Sequence, residues 1–167
     1  MNIRKTNIKD AQSIFKLYQL VSKIPKGLAR LENEITEDYI KEFCKKAIDS
    51  GVGFVAVDDS NNVLAEIHTY CADVYCFSHV LSELTIAVSP KSQGLGLGRK
   101  IFEALLDEVK QNKPDILRIE LIARESNKKA IHFYESLGFK IEGHLLNRIK
   151  NPDGSFESDI PMAWQRN

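Results

Sequence analysis

Apolar positions along the chain change period several times, and each change predicts an element. Ile14, Phe15, Tyr18 and Val21 recur at helical spacing after Asp10, which reads as the cap of a first helix. Tyr39, Ile40, Phe43, Cys44, Ala47 and Ile48 do the same after Thr36. A third apolar face, Ile101, Phe102, Leu105, Leu106 and Val109, runs from about Gly96 to Asn112 and stops at Pro114. A fourth, Ala130, Phe133, Tyr134 and Leu137, runs from Asn127 to Leu137 and ends at Gly138. Between the helices lie short β-type runs at 2–6, 52–57, 63–70, 83–88 and 116–123, then 139–148 and 156–164 around the turn Asn151-Pro152-Asp153-Gly154. The order β α α β β β α β α β β implies an α/β (α+β) architecture. Its sheet is mixed and twisted, of about seven strands, with helices on both faces.

Composition narrows the class. At 167 residues, one domain over 1–167 fits the chain, with a full core. Lysine plus arginine equals aspartate plus glutamate at 23 each, so no basic excess argues for nucleic acid or an anionic membrane. No apolar run approaches the roughly eighteen residues of a membrane span. The N-terminal MNIRKTNIKD has no apolar signal core, and three cysteines leave one over from any disulfide set. A reducing cytoplasm is the expected setting.

The chemistry concentrates in residues 88–99, VSPKSQGLGLGR. A strand ending at Val88 passes through Pro90 into a loop with Gly94, Gly96 and Gly98, and then into the third helix. Glycines let backbone approach a ligand closely, and the first helical amides point at an anion. The spacing excludes a dinucleotide fingerprint, because Arg99 stands where the third glycine belongs. It also excludes a P-loop, which needs Gly-Lys-Ser/Thr. Gln93-x-x-Gly96-x-Gly98 after Val88-x-Pro90 resembles the acetyl-coenzyme A loop of the GCN5-related N-acetyltransferases. Asn127-x-x-Ala130-x-x-x-Tyr134-x-x-x-Gly138-Phe139, one helix and one strand later, resembles the second motif of that family.

Together the resemblance covers essentially the whole chain. It implies that family's fold, with the sheet splayed between its fourth and fifth strands and coenzyme A in the cleft. Gly138-Phe139-x-Ile141-Glu142-Gly143, the last hairpin and Ser78-His79-Val80 are similar to the subgroup acting on L-amino acids and small amines.

The resemblance also implies roles. Gln93, Gly94, Leu95, Gly96, Gly98 and Arg99 would hold the pyrophosphate, mostly by backbone amides. Ile86 and Val88 would pair with the pantetheine arm, and Asn127 would bond the coenzyme. Tyr134, two helical turns after Asn127, would sit by the sulfur as general acid. Glu83 is the expected base, with Glu66 and His68 as alternatives. The loop at 23–35 carries Arg30, Glu32 and Glu34 and would cover the acceptor.

The expected reaction is direct acetyl transfer in a ternary complex, from acetyl-coenzyme A to a primary amine of a small molecule, by a monomer or homodimer. The alternatives are a protein N-terminal or lysine acetyltransferase, or a non-catalytic acyl-coenzyme A sensor. His68-x-x-Cys71-x-x-x-x-Cys76-x-x-His79 has zinc-ligand residue types. A hairpin of 63–71 with 76–84 would pair His68 with His79 and Cys71 with Cys76 on opposite sheet faces, so no metal is expected.

Overall fold

The computed structural model describes residues 1–25 and 27–166; Lys26, inside the expected 23–35 loop, and Asn167 lie outside it. The strands are β1 (Asn2–Lys5), β2 (Gly51–Val57), β3 (Val63–Cys71), β4 (Val80–Val88), β5 (Arg118–Arg124), β6 (Lys140–Ile141), β7 (Leu145–Lys150) and β8 (Phe156–Gln165). The helices are α1 (Ala11–Ser22), α2 (Glu37–Ser50), α3 (Leu97–Asn112) and α4 (Lys128–Glu135). All eight strands join one sheet in the order β1-β2-β3-β4-β5-β8-β6, with β7 also paired to β8. Only β4 and β5 run parallel.

The two sheet faces are filled by different helices. Ile14, Leu17 and Tyr18 of α1 and Ile40, Phe43 and Cys44 of α2 bury against Val55, Val57, Val63 and Ala87. Ile101, Phe102, Leu105 and Val109 of α3 and Ile131 of α4 bury against Ala56, Ala65, Ile67, Leu81, Ile119 and Leu121. Each helix turns its apolar stripe to the sheet, as the 3.6-residue period requires.

The expected strand at 139–148 is two strands, β6 and β7. Between them Glu142 N donates to Pro161 O at 2.9 Å. Pro161 has no N–H to return to the ladder, so pairing lapses before it resumes at Leu145. β4 begins at Val80 rather than 83, because buried Val80 and Leu81 pair with β5.

Asp10 stands at the N-cap of α1 as expected, but its side chain makes no cap bond there. Asn7 caps a short 3-10 turn at Ile8–Asp10 that leads into α1, and its side chain accepts from Lys9 N at 3.0 Å. Asp10 instead closes a capping box by accepting from Asn7 N at 2.8 Å, and it takes both guanidinium nitrogens of Arg4 at 2.7 and 2.8 Å. That ion pair holds the Asp10 carboxyl below the usual carboxylate range. Replacing Asn7 with Ala is expected to cost about 1 kcal/mol of unfolding free energy. Denaturant titration checks it, and an unmoved midpoint would mean that Asp10 and Arg4 hold the turn alone. Thr36 caps α2 as expected, accepting from Tyr39 N at 3.1 Å.

Candidate active site

The site arises where β4 leaves β5. The two strands pair only at Val80 with Arg118 and Leu81 with Ile119. Just beyond, β4 carries a bulge: Glu83 and Leu84 together face the single Thr69 of β3, between the pairs Tyr70 with Ser82 and His68 with Thr85. Glu83 takes the extra turn in a left-handed conformation, φ 55°. The parted strands bound a cleft of about 410 Å3, with Glu83–Ile86 on one wall and Ile122–Arg124 on the other. Asn127, Ala130 and Tyr134 of the α4 region close one side, and Gly27–Arg30, Glu34 and Tyr39 close the other.

Glu83, Ile86, Asn127 and Tyr134 therefore line one cleft. Tyr134 packs its ring against Phe102, Phe133 and Phe139, at 5.8, 5.5 and 6.2 Å between centroids. Burial pushes its phenol up to about 12. Its hydroxyl has no hydrogen-bond partner among the described residues, and the ring lines the cleft. Asn127 is the N-cap of α4, its Oδ1 accepting from Ala130 N at 3.1 Å. That leaves its amide nitrogen to a ligand.

The glycine loop lies at the far end of β4, against its last residue. A Cβ on Gly98 would meet Val88 Cγ2 at 3.6 Å, an ordinary contact. Gly94 and Gly96 adopt φ of 77° and 75°, and a Cβ on either would meet no atom within 4 Å. The backbone is thus open to close approach at two points. The first bond of α3 runs from Lys100 N to Gly96 O, and Leu95 and Gly96 donate to no backbone carbonyl among the described residues. These free amides at a helix N-terminus fit an anionic diphosphate.

Two side chains here do structural work. Gln93 Nε2 donates to Val88 O at 3.2 Å, pinning the loop to β4. Arg99 reaches Ser136 Oγ at 2.5 Å and lies over the Phe133 ring at 5.4 Å, tying α3 to α4, so only its backbone amide is left to the loop.

The wall that Gly27–Arg30, Glu34 and Tyr39 form is polar and mixed in charge. Arg30 stacks over the Tyr39 ring at 4.1 Å. Arg124 donates to Asn151 and Glu157 at 3.0 Å each. Burial raises the phenols of Tyr39 and Tyr70. Tyr39, Tyr70 and Arg124 escape a motif search, because each belongs to an element read for its apolar pattern. Behind this wall Glu66 and His68, named only as alternatives for the base, join Tyr18, which the helical pattern assigned to the core. Tyr18 donates to Glu66 at 2.6 Å, and His68 Nδ1 lies 3.1 Å from the same carboxylate.

The expected pairing of His68 with His79 and Cys71 with Cys76 does not occur. Thr85 stands opposite His68 and Leu81 opposite Cys71, because β4 starts later and residues 72–79 form a loop with a 3-10 turn. Among the described residues no cluster of three or more His, Cys, Asp or Glu could hold a metal ion, and no helix is long and apolar enough to cross a membrane.

Several proteins similar to this chain are named as acetyltransferases. The chain is 48% identical over 87 residues to the ribosomal protein bS18 alanine N-acetyltransferase of Escherichia coli (strain K12), a match covering 50% of this chain and 57% of that protein. It is 35% identical over 85 residues to the spermidine N(1)-acetyltransferase of the same organism, covering 51% and 45%. These matches span about half the length of those relatives. The fold superposes with TM-score 0.85 on a phosphinothricin acetyltransferase from Sinorhizobium meliloti solved with acetyl-coenzyme A, at 16% identity over 98% of this chain and 87% of that one. A family model described as the acetyltransferase (GNAT) family matches residues 14–139, three quarters of the chain and both motifs, and the protein belongs to that family.

Proposed function

We propose that the chain is an acetyl-coenzyme A-dependent N-acetyltransferase that acts on the primary amine of a small molecule, an amino acid, polyamine or similar compound, by direct transfer with both substrates bound. The observation that carries this reading is the cleft itself. Its β4 wall runs on to Val88, against which the open glycine loop packs, Tyr134 and Asn127 flank it, and opposite charges line it.

Acetyl-coenzyme A supplies the activated acetyl group. The chain's part is to hold, orient and move protons. The amides of Leu95, Gly96, Gly98 and Arg99 take the diphosphate, with no counter-charge needed. Ile86 and Val88 border the arm, on the strand whose partner has left. Tyr134 lines the cleft and carries a proton that its surroundings keep on the oxygen, which it would give to the leaving thiolate. Direct transfer is supported by the cysteines, none of which lines the cleft. Cys44 is buried, and its thiol is pushed up to about 12.

A cavity of about 410 Å3 is in the range of small-molecule sites. Arg30 offers a guanidinium for a carboxylate, and Glu34 and Glu83 offer carboxylates for an ammonium, an arrangement that suits a zwitterion or a polyamine. Glu83, expected as base, is proposed here as the ammonium's anchor. Its side chain is exposed on the bulge and faces the same cleft. Glu83→Gln is expected to raise KM for a cationic amine about tenfold, roughly 1.4 kcal/mol, with acetyl-coenzyme A affinity unchanged. Initial rates over a range of amine concentrations check it, and an unchanged KM would remove Glu83 from amine binding.

The function is tested by measuring free coenzyme A release with L-amino acids, spermidine, phosphinothricin and a peptide beginning with alanine. Release with a small amine supports the proposal. Release with the peptide alone would make the chain a protein N-terminal acetyltransferase. Release with none, alongside tight acyl-coenzyme A binding, would make it a sensor.

A further inference from the structure

Among the described residues, the buried Glu66 carboxylate on the α1–α2 face has no ion pair with a lysine or arginine. Glu66 is fully buried, surrounded by the apolar cluster of α1, α2 and β2. A charge in such a place is costly unless it is paired and hydrogen-bonded. Its partners are two neighbouring side chains. Tyr18 donates its hydroxyl to Oε2 at 2.6 Å, and His68 Nδ1 lies 3.1 Å from Oε1 and 3.2 Å from Oε2. Burial and the Glu66 charge push the Tyr18 phenol far above its ordinary range, so it stays a donor.

This arrangement fixes an imidazole. Phe43 stacks on the His68 ring at 3.9 Å between centroids with 10° between planes, and Tyr70 lies parallel at 6.1 Å. Nδ1 is committed to Glu66, and one face of the ring to Phe43. His68 nevertheless lines the cleft, beside Thr85, Tyr70 and Glu83. The edge left for the cleft is the one bearing Nε2, for which the described residues provide no partner. A carboxylate on Nδ1 selects the tautomer with that proton on Nδ1 and a lone pair on Nε2.

We infer that His68 is the base that deprotonates the acceptor amine, with Glu66 and Tyr18 as positioning residues. The inference rests on the acetyltransferase reading above. An ammonium anchored by Glu83 gives one proton to Nε2. The N–H bond breaks, its electron pair stays on nitrogen as the nucleophilic lone pair, and the imidazolium returns the proton to water. Glu66 balances the transient positive charge, and the phenol of Tyr18 holds Glu66 in place. The ionisable groups of the cleft and of the cluster behind it are Glu66 and Tyr70 on β3, Tyr18 on α1, Tyr39 and Cys44 on α2, Glu83 on β4, Arg124 and Tyr134 across the cleft, and Arg30 and Glu34 in the covering loop. Imidazole is the side chain whose ordinary titration lies nearest neutrality, which suits it to this task.

Two measurements test the assignment. The first compares the pH dependence of kcat/KM for wild type, His68→Gln and Glu66→Gln, using whichever amine of the panel releases coenzyme A fastest. The expected result is a fall in kcat of about 10²-fold or more for His68→Gln, the scale of a general base. The pH profile changes shape, the rate then following the amount of neutral amine supplied by solvent, and acetyl-coenzyme A affinity by calorimetry is unchanged. Glu66→Gln lowers kcat while leaving the amine KM in place.

The second needs no turnover. Long-range nitrogen–proton correlation spectra of histidine-labelled protein are expected to show His68 with a protonated Nδ1 and a bare Nε2. Glu66→Gln is expected to disturb that tautomer. Should His68→Gln fail to fold, the wild-type tautomer and the Glu66→Gln profile still decide the question. An unchanged pH profile in folded His68→Gln, or a wild-type His68 protonated on Nε2, overturns the base. Absence of release with every amine by folded wild type overturns the acetyltransferase reading itself.

Discussion

Gly96→Val is expected to abolish acetyl-coenzyme A binding in calorimetry, a loss of at least about 100-fold, or roughly 2.7 kcal/mol. Gly96 is the N-cap of α3 and sits at φ 75°. An L-residue pays roughly 1–2 kcal/mol to occupy that region, and a β-branched one is a still poorer fit. The substituted side chain meets no protein atom, since a Cβ there has nothing within 4 Å. The protein therefore folds around the change with only a small drop in thermal midpoint, and the damage falls on the ligand. The new methyls stand over the amides that an anionic diphosphate must reach, and relief of strain at φ turns those amides away. Gly98 is the internal control. Its backbone is ordinary for an L-residue, and its Cβ would make a 3.6 Å contact with Val88 Cγ2, so Gly98→Ala is expected to cost far less affinity. Normal affinity in Gly96→Val would sink the assignment of the loop.

What was legible in the sequence is what repeats locally. The apolar stripes placed all four helices, because a surface helix must bury one face and its period is fixed. The Asn127 to Tyr134 spacing placed both on one side of α4, and both line the cleft. Features that depend on a partner strand were hidden. The bulge at Glu83 has no signature in composition, because register is a property of two strands and only one is being read. The break at residues 142–144 has its cause in Pro161, on the neighbouring strand. Asp10 stands at the N-cap of α1, but the bonds its side chain makes, to Asn7 N and to Arg4, depend on residues outside the helix that the apolar pattern does not show.

The buried triad shows the same limit. Glu66, His68 and Tyr70 alternate on β3, which signals a common face. The hydroxyl that satisfies Glu66 comes from Tyr18, 48 residues earlier, and looks like core in its own helix. A polar group whose partner lies on another element reads as an anomaly until the fold brings the two together.

Tyr134→Phe is expected to lower kcat by about 10²-fold or more while leaving acetyl-coenzyme A affinity and thermal stability nearly unchanged. The separation of these effects follows from what the side chain touches. Its ring packs with Phe102, Phe133 and Phe139, and Phe keeps every one of those contacts. The hydroxyl bonds to no described residue, so its removal leaves no buried group unsatisfied. What is lost is a proton held beside the cleft. Burial raises the phenol to about 12, so the acid form is present at neutral pH and persists through the range where an ordinary tyrosine, with pKa about 10, begins to lose it. Wild-type turnover is accordingly expected to show no alkaline loss from this group until well above pH 10. With His68 proposed as the base, the two variants are expected to separate. His68→Gln changes the shape of the pH profile, whereas Tyr134→Phe lowers the plateau and leaves that shape as it was. Full turnover in Tyr134→Phe would take the phenol out of the mechanism and leave protonation of the thiolate to water.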